Sequence, residues 1–116
     1  MYLPDDTKIV EAMRVLEMSD EALFEEIART DEKYAFVDDA LDYGKRRYRR
    51  VSANVKASVC ENQTVRNVFS EGVANRRLML ICAIADLIHT AGAMSVAAML
   101  VREGVETYCV DVWQHA

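Results

Sequence analysis

Proline and glycine are scarce in this sequence, one and four in 116 residues, which excludes collagen-like, proline-rich and flexible-linker architectures. Cysteine is also sparse. Cys60, Cys82 and Cys109 form an odd set at wide spacing with no CxxC pair, so a disulfide framework is not expected. No secretory leader pattern opens the chain, where Pro4 is followed at once by Asp5 and Asp6, and the expected localisation is cytoplasmic, in a reducing cytosol. The Asn62-Gln63-Thr64 sequon carries no weight in that setting. Walker A, GxGxxG, HExxH, GxSxG and EF-hand patterns are all missing, which removes most enzymes that a sequence can declare. Repeats and low-complexity runs are missing as well, so residues 1–116 read as a single helical domain.

What is present is apolar and charged. Hydrophobic residues make up 52% and charged residues 28% of the chain, enough apolar side chains for one core and too many for a disordered chain. The most apolar stretch, residues 78–101, is long enough to cross a bilayer, but Asp86 and His89 stand in its middle and Ala91-Gly92-Ala93 interrupts it. It reads as a pair of buried helices, with no membrane association.

Helical periodicity dominates the rest. A first helix follows Pro4, with Ile9, Met13 and Leu16 as its core face and Asp5 and Asp6 at its N-terminus. Ser19 is placed to cap a second helix over residues 20–29, whose apolar face is Leu23, Phe24 and Ile27. Tyr34, Val37, Leu41, Gly44, Tyr48, Val51, Val55 and Ser58 then recur at alternating spacings of three and four. That stripe predicts a long helix over residues 31–61, about eight turns, with a bundle-type seam. Asn62-Gln63-Thr64 interrupts the pattern and caps a fourth helix, whose apolar residues Val65, Val68, Phe69 and Val73 lead through Arg76-Arg77 into Leu80, Ile84, Leu87 and Ile88, with a break at Gly72 left open. A turn at Ala91-Gly92 precedes a helix from about Ser95 that ends on Gly104. Residues 105–113, VETYCVDVW, are β-branched and aromatic and read as an extended tail.

The charge is segregated. Residues 1–44 hold 13 acidic and 4 basic side chains, residues 45–77 hold 2 and 9, and residues 78–116 hold 4 and 1, for a total of −5. Segregation of this kind points to association. Lys45-Arg46-Arg47-Tyr48-Arg49-Arg50, joined by Arg66, Arg76 and Arg77, supports three readings. The cations balance the acidic first third within the fold, they bind carboxylates of a protein partner, or they bind nucleic acid with Tyr48 stacking on a base. The carboxylates Asp31, Glu32, Asp38, Asp39 and Asp42 are a solvated face, a mimic of phosphates, or, through Asp38/Asp42 and Glu21/Glu25, ligands for a divalent cation. Cys82, Asp86 and His89 fall on one face of a helix, most simply as a packed seam in which Asp86 and His89 hydrogen-bond.

The fold expected is therefore all-α, a compact bundle of four to five helices around one long central helix with a short extended C-terminal tail. The function expected is noncatalytic. It is a protein-interaction module of inhibitor, immunity or adaptor type, binding a protein partner through segregated charge without a cofactor. Its contact residues would be Asp38, Asp39, Asp42, Arg46, Arg47, Tyr48, Arg49, Arg50, Arg76 and Arg77. Tyr43, Tyr108 and Trp113 would be exposed aromatic anchors. A homodimer through the long helix would place Gly44 and Tyr48 near its axis. Two alternatives stand beside this reading: a nucleic-acid-binding regulator using the arginine-rich helix, and a metal-dependent hydrolase using helix carboxylates.

Overall fold

Local capping chemistry sets most helix boundaries. In the computed structural model, which describes residues 2–35, 39–72 and 74–114, Asp5 accepts the Lys8 amide at 2.8 Å and starts α1, Asp6–Leu16. Ser19 accepts the Ala22 amide at 3.1 Å and starts α2, Asp20–Arg29. Asp39 accepts the Leu41 and Asp42 amides and starts α3, Ala40–Glu61. Asn62 ends α3, and its side chain accepts the Val65 amide at 3.0 Å to open α4, Gln63–Ser70. After a corner with Asn75 in the left-handed region come α5, Arg76–Ala85, and α6, Ala93–Glu103. Gly104, at φ 95°, turns the chain directly into α7, Val105–Gln114. The described residues are thus all-helical outside turns and connections, with seven helices and no strand.

The helix enclosed on all sides is α6 rather than the long α3. Seven consecutive residues of α6, Ser95 to Val101, are buried, and α1, α2, α3, α5 and α7 all pack on it. The expected buried pair over residues 78–101 is α5 followed by α6, and among the described residues no helix is long and apolar enough to cross a membrane. The longest described helix, α3, lies against α2, with Gly44 at the closest approach.

Three expectations are corrected. The long helix starts at Ala40, not at residue 31, because Asp31 turns back to accept the Lys33 amide at 3.1 Å and Asp39 then caps a new start. Tyr34 therefore lies outside the helix, and Val37 lies outside the described residues. The seam drifts as well. Gly44 and Tyr48 are buried, but further on Ser52 and Val59 are buried while Ser58 is exposed, because a straight helix of 3.6 residues per turn leaves a strict heptad stripe.

The second correction is the C-terminal segment, which is the helix α7 rather than an extended tail. Val105, Cys109 and Trp113 recur every four residues, and their burial overrides the β propensity of the intervening valines. The third concerns cysteine. Cys60 at the end of α3 and Cys109 on α7 form a disulfide, with Cα atoms 5.2 Å apart across a sequence separation of 49. Around it the Trp113 indole donates to the Cys60 carbonyl at 2.8 Å and packs on Phe69.

A few long side chains knit the helices together. Arg102 of α6 donates to the Val15, Leu16 and Met18 carbonyls, closing the open end of α1, and pairs with Asp20 at 2.6 Å. Arg14 joins Glu26 of α2 at 2.7 Å, and Lys56 joins Glu103 of α6 at 3.1 Å.

Candidate functional site

The arginine run on α3 divides by helical geometry into an inner and an outer set. Arg47 and Tyr48 point inward. Arg47 pairs with Asp31 at 3.1 Å and donates to the Ala91 carbonyl at 3.3 Å, clipping the loop after α2 to the turn before α6. The two paired side chains are only 12% and 8% exposed. Tyr48 is buried, and its hydroxyl donates to Glu103. Burial first, and then the Glu103 carboxylate, raises the phenol above its ordinary range and keeps it neutral. Neither residue is presented to a partner. Gly44 and Tyr48 face α2 and α6, so the expected dimer axis through them is corrected: that face is spent inside the molecule.

Asp31 carries the strongest local electrostatics. Its carboxylate accepts the Lys33 amide and, at 2.7 Å, the Tyr43 hydroxyl, and Arg47 and Arg50 add their fields, which together hold it below the usual carboxylate range. Glu26 is held down in the same way by Arg14. Both groups stay ionised in the folded chain at a pH where the unfolded chain has begun to bind protons. Their stabilisation is therefore complete above the ordinary carboxylate range near pH 4, and it is lost as the pH falls through and below that range. Melting temperature is expected to drop across that acid interval. Asp31→Asn is expected to flatten the acid limb and to cost about 2 kcal/mol at neutral pH. A wild-type acid limb retained by the variant would show that Asp31 is not the titrating group.

The outer set is Arg46, Arg49 and Arg50. Arg46 pairs with Asp42 one turn back at 3.2 Å and lies over the Tyr43 ring. Arg49 and Arg50 are exposed and form no ion pair among the described residues. Arg76 stacks on Phe69 and donates to its carbonyl at 3.1 Å, whereas Arg77 is exposed without an ion pair among the described residues. Arg76 and Arg77 begin α5 and are not part of the α3 helix surface.

The carboxylates are dispersed. Asp39 is the cap of α3, Asp42 is taken by Arg46, Glu25 pairs with Arg29, and Asp38 lies outside the described residues. No cluster of three metal-ligating side chains occurs among the described residues. The aromatic anchors are corrected too. The hydroxyls of Tyr43 and Tyr108 and the indole of Trp113 donate to Asp31, to the Leu100 carbonyl and to the Cys60 carbonyl, and all three side chains are partly buried. In the Cys82, Asp86 and His89 set, the helix ends at Ala85 and leaves exposed His89 beyond it. Asp86 pairs with Lys8 and accepts the Tyr2 hydroxyl at 3.0 Å rather than binding His89. Cys82 is buried, which raises its thiol.

Sequence reasoning missed Arg102 and Glu103 as cross-helix partners, because nothing near them in sequence marks contacts made 47 to 87 residues away. It also missed an exposed apolar strip on α1. Ala12 and Val15 are the buried residues of that helix, Ile9 and Leu16 are half-buried, and Met13 is left largely in solvent. Compared with protein-family models, curated proteins and solved structures, the chain matches none of them.

Proposed function

We propose that this chain is a noncatalytic protein-interaction module, of inhibitor, immunity or adaptor type, that engages carboxylates of a protein partner through the outward arginines of α3. The observation that carries the reading is the division of the run. Arg47 is consumed in the fold, while Arg49 and Arg50 are exposed without an ion pair among the described residues, beside the solvent-facing Arg46–Asp42 pair. Guanidinium forks on a rigid helix suit bidentate contact with carboxylates. A net charge of −5 for the whole chain opposes an extended polyanion and confines an acidic contact to the arginines' own patch. Nucleic acid binding uses the same arginines but has lost its stacking group, because Tyr48 is buried.

The test is capture from native extract by wild type and by Arg49→Glu/Arg50→Glu, each with and without nuclease. One stoichiometric protein is expected to survive nuclease and to be lost with the double variant. Association with that partner is expected to slow by about tenfold or more at low salt. The variant itself should melt within about 1 kcal/mol of wild type, since neither side chain forms an ion pair among the described residues and Arg50 adds only its field to Asp31. Capture that vanishes with nuclease would move the assignment to nucleic acid, and capture unchanged in the double variant would move the contact away from α3.

A further inference from the structure

The first helix carries more apolar surface than the fold buries. Ile9, Met13 and Leu16 line an open groove of about 860 Å³ whose other wall includes Arg76, Arg77 and Leu78. Met13 is 54% exposed and Val10, beside it on α1, is 63% exposed. Apolar side chains at a helical repeat along an open groove are the pattern of helix-in-groove docking.

We propose that the groove is filled by α1 of a second copy of this chain, giving a twofold dimer in which the two first helices run antiparallel across Met13. The groove asks for an apolar helical stripe with a carboxylate at one end, because Arg76 and Arg77 outnumber the one carboxylate on its wall, Glu17, and Arg77 has no ion-pair partner among the described residues. α1 itself meets that description. Ile9, Val10, Met13 and Leu16 follow Asp6, which is exposed and forms no ion pair among the described residues.

The direction of the chain supplies the match. Lys8 pairs with Asp86 just past the end of α5, whereas Leu16 and Glu17 share the groove with Arg76 and Arg77 at its start, so α1 and α5 are antiparallel. A second α1 laid antiparallel on the first directs its Asp6 toward the end of the groove that holds Arg77. Twofold symmetry makes this contact twice. The surface is built from α1 and α5, so it is independent of the α3 arginines proposed above.

Sedimentation velocity on the full chain, from low micromolar to near-millimolar concentration, is expected to show a dimer that grows with concentration and weakens with salt. Met13→Glu places two carboxylates at the axis and should leave monomer throughout with an unchanged circular dichroism spectrum. Val10→Lys provides the same readout should Met13→Glu disturb the helix. Arg77→Glu should weaken dimerisation about tenfold, and Asp6→Arg/Arg77→Glu should restore it by reversing both ends of each pair. Monomer at every concentration for the wild type overturns the proposal. So does a dimer that survives both Met13→Glu and Val10→Lys, and failure of the double charge reversal to rescue Arg77→Glu overturns the antiparallel arrangement.

Discussion

Removing the Cys60–Cys109 bond, by Cys60→Ala/Cys109→Ala or by reduction, is expected to lower the free energy of unfolding by about 4 kcal/mol and the melting temperature by about 15 °C. The bond joins residues 49 apart, so in the unfolded chain it closes a long loop whose lost freedom is where most of the gain arises in the chain-entropy picture. In the folded chain it ties α7 to the end of α3. α7 depends on that tie more than the other helices do. Its sequence favours extended structure, Val110 and Val112 are left partly in solvent, and its anchoring rests on Val105, Cys109, Tyr108 and Trp113. Amide exchange should therefore accelerate first in α7, with α2 and α6 still protected, once the bond is gone. Identical melting of the oxidised and reduced forms would show that the bond contributes nothing to the fold. Disulfides persist in oxidising surroundings, so the cysteine count and spacing no longer support the expected reducing cytosol.

Gly44→Ala is expected to destabilise by about 3 kcal/mol. In an exposed helix interior the same change would stabilise by about 1 kcal/mol, so the sign is diagnostic. A Cβ at position 44 would lie 1.8 Å from the Phe24 carbonyl oxygen and 2.5 Å from its carbonyl carbon. Both are backbone atoms of α2 and cannot rotate away as a flexible side chain would. The two helices would have to separate, loosening the edge contact between the Phe24 and Tyr48 rings and the Arg47–Asp31 clip beside it. Denaturant midpoints of wild type and variant decide the matter, and a variant at least as stable as wild type would mean that α2 and α3 do not meet at this residue.

Four helix ends were legible in the sequence because each depends on a residue acting on its own neighbours: Asp5, Ser19, Asn62 and Gly104 do locally what their chemistry suggests. The apolar pair α5 and α6 was legible for a similar reason, since an all-apolar helix has nowhere to sit but inside. The start of α3 was misread because the stripe through Tyr34 and Val37 continued the repeat past Asp31 and Asp39, whose side chains bind nearby amides and end it. α7 was misread because propensity was weighed above the four-residue repeat of Val105, Cys109 and Trp113. The disulfide and the inward turn of Arg47 and Tyr48 depend on residues 16 to 55 positions away, which no local pattern encodes. Part of the acidic and basic segregation that suggested an outer surface is paired within the fold, as Arg47–Asp31 shows, while Arg49, Arg50 and Arg77 are exposed without an ion pair among the described residues.

The hold that Arg102 has on α1 bears on the order in which the molecule is made. The carbonyls of Val15, Leu16 and Met18 receive their donor from a side chain 84 to 87 residues further on. On the ribosome, α2 and α3 emerge as near neighbours and can pack as they appear, while α1 waits for α6 to follow it out. The end of α1 is thus secured later than the α2–α3 pairing that follows it, and a chain stopped short of position 102 leaves α1 without the donor that closes it.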